Sequence, residues 1–214
     1  MKHPDEQLRL YCRLLLEAPV SVTAVRDPDR VYEVHVEDSL TALPVVREEG
    51  AGRIVDVGSG GGAPGIPLAI ALGQPVTLLE ATGTKAAFLE RTAATLGVEA
   101  EVVNERSEVY ARGPGRDAFD LAVARALAPP AVAVELCLPL VRTGGALVLW
   151  TTESDDRALT PAAMALAGAV ERSIATGGAR RLVLVRKLDA TPERFPRRPG
   201  MAGKRPLRSL ASEP

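Results

Sequence analysis

Residues 54–67 read Ile-Val-Asp-Val-Gly-Ser-Gly-Gly-Gly-Ala-Pro-Gly-Ile-Pro. An apolar run passes through Asp56 and opens into glycines at 58, 60, 61, 62 and 65, then turns apolar again as Leu68-Ala69-Ile70-Ala71-Leu72. That order predicts a buried strand, a bare loop and a helix. Glycines admit positive φ and let the backbone approach a ligand closely. The helix behind them presents unpaired N–H groups and a partial positive charge. Such a loop holds a nucleotide or a nucleoside-like cofactor.

The surrounding chain repeats the alternation. Strands are predicted at 53–57, 76–80, 99–103, 119–124 and 145–150, with helices near 64–72, 84–96 and 130–141. Strands alternating with helices imply a parallel sheet with right-handed crossovers. Residues 157–188 read as a helix and two strands split by Gly177-Gly178, a hairpin that adds an antiparallel last strand. Leucines at 8, 10, 14, 15 and 16 with Tyr11 have helical spacing, Asp27-Pro28-Asp29 marks a helix start, and a second apolar-spaced segment covers 30–47. Three parts follow: a helical lid over 1–50, an α/β core over 51–189, and a basic tail over 190–214. The tail carries Arg194, Arg197, Arg198, Lys204, Arg205 and Arg208 among prolines at 192, 196, 199 and 206, which predict an extended course. A stiff basic segment beside a nucleoside site suits contacts to a phosphate backbone. Phe195 amid those arginines suits anchoring the tail or stacking a base.

Gly58, Gly60 and Ala63 satisfy G-x-G-x-x-A, and Glu80 ends the next strand, where an acid accepts both ribose hydroxyls. This pattern fits NAD or S-adenosylmethionine. Three observations favour the latter. Asp56 gives Asp-x-Gly-x-Gly-x-Gly, with an acid placed to accept loop amides or to face the cofactor's cationic end through water. Only one nucleotide-binding half is visible. No Tyr-x-x-x-Lys is present, and neither His3 nor His35 follows the loop. Ser107 and Glu108 after the third strand are placed to meet an adenine amino group, or to cap a helix. Arg125 closes the fourth strand at the sheet's carboxyl edge, where ligands bind in open α/β folds.

The formal net charge of -1 means that nucleic-acid contact must come from local clustering. Cys12 and Cys137 stand in apolar helical contexts with no Cys/His grouping, which argues against a zinc site and gives no sign of a disulfide. No metal ligand set is expected. With no signal peptide and no apolar run approaching a membrane span, a cytoplasmic, monomeric protein is the expectation.

Four stretches carry a more specific resemblance: 23–28 with 35–40 (His35-Val36-Glu37-Asp38-Ser39-Leu40), 56–67, 84–89 (Thr84-Lys85-Ala86-Ala87-Phe88-Leu89), and 195–200 (Phe195-Pro196-Arg197-Arg198-Pro199-Gly200). Together and in this order they resemble the RsmG (GidB) family, the small-subunit ribosomal RNA guanine-N7 methyltransferases. The resemblance covers roughly 8–210. It implies a Rossmann-like class I S-adenosylmethionine-dependent methyltransferase fold, 16S ribosomal RNA or the small subunit as partner, and a guanine N7 as the acceptor. It places Gly58 and Ala63 at the cofactor, Glu80, Ala81 and Thr82 on its ribose side, Ser107 and Glu108 beside the adenine, and Arg125 at the cofactor site. The chain departs from the family pattern at Ala18-Pro19-Val20-Ser21-Val22-Thr23 and in shorter amino-terminal helices. An NAD-dependent oxidoreductase and a non-catalytic RNA-binding assembly factor are the alternatives.

Overall fold

A computed structural model describes residues 3–50, 52–152 and 159–207. Seven strands form one sheet in the order β3-β2-β1-β4-β5-β7-β6. They are β1 Ile54–Val57, β2 Val76–Leu79, β3 Ala100–Val103, β4 Phe119–Arg125, β5 Val141–Thr151, β6 Gly168–Gly177 and β7 Arg180–Lys187. The first five run parallel, and β7 pairs antiparallel with both β5 and β6. The Gly177-Gly178 hairpin is thus present, and it inserts the last strand between β5 and the edge strand β6.

Strand alternation splits the core into two layers. Ile54, Leu121, Val123, Val148 and Leu184 face one side, where they pack against the helices α1 (Pro4–Leu16), α2 (Pro28–Tyr32), α4 (Leu43–Glu49), α5 (Gly65–Leu72) and α6 (Gly83–Leu96). Val55, Val57, Ala122, Leu147 and Val185 face the other, against α7 (Ser107–Tyr110), α8 (Pro130–Cys137) and α9 (Thr160–Ala165). In α1, Leu8, Tyr11, Cys12 and Leu15 are buried at i, i+3, i+4 and i+7. Full burial of a side chain such as Leu15 contributes about 1.5–3 kcal/mol, which fixes this helix over the glycine loop.

The apolar-spaced stretch 30–47 is helical but not continuous. It breaks into α2, a π-turn at Glu33–Glu37, α3 (Asp38–Leu40) and α4, which carries Pro44 in its first turn. The helix expected over 130–141 ends at Cys137 and tightens into a 3₁₀ turn at Leu138–Leu140, because Pro139 cannot continue it. Strand β5 therefore starts at Val141, earlier than expected. The start of the helix expected from 157 lies partly outside the described residues.

The tail is the largest difference. Arg208 and the residues after it lie outside the described part, but 190–207 do not run free of the core. Phe195 is buried in the second layer, and α10 (Met201–Lys204) follows it. Lys187, fully buried, donates to Asp117 at 3.1 Å, to the Leu138 carbonyl at 3.0 Å and to Thr191. Arg116 donates to the carbonyls of Phe195 and Thr191, and Arg112 to that of Pro196. The segment is held by its backbone carbonyls, which local proline content cannot reveal.

Candidate functional site

A cavity of about 500 Å³ opens at the carboxyl ends of β1, β2 and β4. The glycine loop after β1 forms its floor. Gly58 N–H donates to the Leu79 carbonyl at 2.8 Å, so the loop begins as a continuation of the β1–β2 pairing. Gly58 has φ +71, and a Cβ there would collide with Leu127 Cδ1, itself a cavity residue. Gly60 differs: its φ is +56, yet the nearest atom to an added Cβ is 3.8 Å away. The other loop glycines make room for protein, whereas Gly60 leaves room beside the cavity.

Glu80 braces this geometry. Its Oε2 accepts from Gly60 N–H at 2.9 Å and its Oε1 from Thr82 N–H at 2.7 Å. A carboxylate offers about four acceptor positions, so two remain for hydroxyl groups in the cavity. Asp56 has a different place. It shares the strand face of Ile54, beneath the loop, and its Oδ2 accepts from Gly65 N–H at 3.0 Å. Its Oδ1 has no partner among the described residues, and burial pushes its pKa up to about 7 against the opposing pull of that amide and of Arg125. Gly65 is glycine because a Cβ would sit 2.7 Å from Asp56 Oδ2.

Gly58, Gly60, Ala63, Glu80, Ala81, Ser107, Glu108 and Arg125 all line the cavity; Asp56 and Thr82 do not. Asp56 holds the loop to α5, and Thr82 precedes α6. Glu108 is buried, which raises its pKa, but the Gly200 N–H at 2.9 Å and Arg106 outweigh burial and hold the carboxyl below its usual range. Through Gly200 the tail thus reaches the end of the cavity that Ser107 and Glu108 line. Arg125 holds a carboxylate, Asp38, at 2.8 Å, and also donates to the Val34 carbonyl in the π-turn.

His35, Lys85 and Leu127 also line the cavity, and residue-by-residue reading assigned a role to none of them. His35 and Lys85 lie inside the stretches that carry the family resemblance, which was the available signal. His35 Nδ1 faces Arg125 Nη2 at 3.2 Å and Nε2 faces Thr23 Oγ1 at 2.7 Å. Arginine only donates, so Nδ1 accepts and the proton sits on Nε2. Burial first, and Arg125 second, lower the His35 pKa to about 4. Tyr11 adds a further tie from lid to loop, its hydroxyl donating to the Gly61 carbonyl at 3.0 Å.

The basic tail residues divide. Arg194, Arg198, Lys204 and Arg205 are exposed. Arg197 is not available in the same way, because it makes a two-pronged pair with Glu135, whose side chain is 2% exposed. Phe195 anchors the tail, with Arg194 over its ring at 5.2 Å. Among the described residues no group of three His, Cys, Asp or Glu side chains is placed to hold a metal ion, and no helix is long and apolar enough to cross a membrane.

Solved structures share the fold. A Thermus thermophilus branched-chain polyamine synthase matches with a TM-score of 0.62 over 89% of this chain and 66% of that one, at 14% identity. A mutant of MtNAS in complex with S-adenosylmethionine matches at 0.56, over 87% and 76%, at 20% identity. Sequence relatives are far nearer. The ribosomal RNA small subunit methyltransferase G of Rubrobacter xylanophilus is 42% identical, covering 97% of this chain and 87% of that protein. That of Moorella thermoacetica is 37% identical, covering 94% and 89%. A profile of the GidB family, described as rRNA small subunit methyltransferase G, matches residues 5–184, and the chain belongs to that family.

Proposed function

We propose that this protein methylates N7 of a guanine in 16S ribosomal RNA with S-adenosylmethionine as donor. The observation that carries the reading is the cavity floored by Gly58 and Gly60 and walled by Glu80 at the carboxyl edge of β1 and β2. Its parts suit the donor: a loop open at Gly60, a buried carboxylate with spare acceptor positions for ribose hydroxyls, and Ser107 and Glu108 for the adenine. When bound, S-adenosylmethionine supplies a sulfonium-activated methyl group.

The chain's own contribution is alignment. Guanine N7 carries a free lone pair, so no residue needs to remove a proton from it. Holding two reactants in line supplies much of a rate enhancement by itself. His35 is neutral and bonded at both nitrogens, and Arg125 is held by Asp38 and Val34. Both therefore orient the lid against the cavity and neither is arranged as an acid or a base. The exposed Arg194, Arg198, Lys204 and Arg205 supply contacts to RNA phosphates.

The test is tritiated methyl transfer to small-subunit RNA from cells lacking this modification, followed by digestion to nucleosides. Label in 7-methylguanosine is the expected result. Label in any other nucleoside, or none with either free RNA or assembled subunits, contradicts the reading.

A further inference from the structure

A second cavity of about 280 Å³ adjoins the first, sharing Arg125 and Ala126 with it. We propose that it receives the target guanine, and that the Asp38 carboxylate reads the base by accepting its N1–H and N2 amino hydrogens. The inference rests on the methyltransferase reading above and adds the group that selects the base.

The carboxylate is locked in place. Asp38 Oδ2 accepts from Arg125 Nη1 at 2.8 Å and Oδ1 from Arg180 Nη1 at 3.1 Å, while Trp150 Nε1 donates to the Asp38 carbonyl at 2.9 Å. Two arginine donors leave about two acceptor positions on a carboxylate. Guanine is the base with two adjacent donors on its Watson–Crick edge. Adenine presents one donor beside a lone pair, which a carboxylate repels. Unpaired bases are read in this way, by hydrogen bonds on that edge beside an aromatic side chain, and Trp150 lines the same cavity.

Position supports the assignment. Ala126, between the cavities, has φ +53, a left-handed conformation rare for a residue with a Cβ. Strain of that kind persists where the surroundings enforce it and clusters at functional sites. A purine with its Watson–Crick edge on Asp38 leaves N7 uncovered for the adjoining cavity. An N7-alkylated guanine is also cationic, with a more acidic N1–H. The same carboxylate therefore holds the product-like state more strongly than the neutral base.

Trp150 is the chain's single tryptophan, so its fluorescence reports on this cavity. The experiment titrates guanosine, inosine and adenosine 5′-monophosphates into the full chain saturated with S-adenosylhomocysteine. The shared phosphate cancels, and the bases differ in their donors. Guanosine monophosphate should quench saturably, with inosine monophosphate about tenfold weaker for the missing amino hydrogen bond to a charged group and adenosine monophosphate weaker still. Asp38→Asn should reduce guanosine binding to the inosine level. Arg180→Ala, which removes one of the two donors holding Asp38 but keeps the carboxylate, should weaken guanosine monophosphate binding while leaving it above inosine monophosphate. Equal affinity for the three nucleotides, no saturable quenching, or an Asp38→Asn protein that keeps the guanine-over-inosine ratio overturns the assignment. Failure to bind S-adenosylhomocysteine strikes the methyltransferase reading beneath it.

Discussion

Replacing Arg197 with alanine strands a carboxylate. Glu135 lies on α8 with its side chain 2% exposed, and both its oxygens accept from Arg197. Arg197 Nη2 also donates to the Arg205 carbonyl at 2.8 Å, closing the tail onto the helix. Removing one partner of a buried ion pair destabilises by about 3–5 kcal/mol. In a chain of this size each kcal/mol lowers the melting temperature by about 2–4 °C. Arg197→Ala should therefore melt roughly 6–20 °C lower at neutral pH, read by circular dichroism. Adding Glu135→Gln should restore most of the loss, because the remaining amide is neutral. Arg198→Ala, at an exposed site, should change stability by no more than about 0.5 kcal/mol. A melting temperature for Arg197→Ala within a degree of the parent, together with weakened RNA binding, would refute the latch and return Arg197 to the phosphate-contacting set.

Other consequences follow from the same geometry. Gly60→Ala forces a Cβ onto φ +56, costing about 1–2 kcal/mol, and its methyl projects beside the cavity; calorimetry should show S-adenosylhomocysteine affinity falling more than tenfold while the protein stays folded. His35 has a folded pKa near 4 against an ordinary 6.5. Between those values the unfolded chain binds more protons, so this group withdraws up to about 3 kcal/mol of stability as pH falls from 6.5 towards 4. Asp56 acts with the opposite sign: its folded pKa near 7 exceeds the ordinary 3.8, so its contribution is present below the lower value and fades as pH rises to the higher one. Denaturant titrations should show Asp56→Asn gaining on the parent by up to about 4 kcal/mol between pH 4 and 8, and a pH-independent difference would remove the buried-carboxyl assignment. Arg198→Ala with Lys204→Ala should flatten the salt dependence of RNA binding by about 0.7 for each phosphate no longer neutralised.

The parallel core was legible because local periodicity, glycine punctuation and strand–helix alternation all act over short spans. The loop after β1 and the acid at Glu80 could be placed from spacing alone. Asp56 could have been read more sharply. Alternation along β1 puts it on the face of Ile54, and the structure places α5 over that face, with the carboxylate bonded to Gly65 N–H outside the cavity. The lid contacts were out of reach. Arg125 meets Val34, His35 and Asp38 across about ninety residues, and the π-turn that presents the first two has no local signature in 33–37. The tail misled for a physical reason. Proline and arginine content reads as extended and solvated, yet Arg112 and Arg116 anchor its backbone, Lys187 holds the Thr191 hydroxyl, and the partner that captures Arg197 stands 62 positions earlier.

Titration calorimetry of S-adenosylmethionine into the purified chain, in parallel with a nicotinamide dinucleotide, bears most directly on what the bare loop holds. One saturable site for the sulfonium compound, weakened by Gly60→Ala, and no heat from the dinucleotide is the expected outcome. Silence from the sulfonium compound with binding of the dinucleotide would contradict the account at its base.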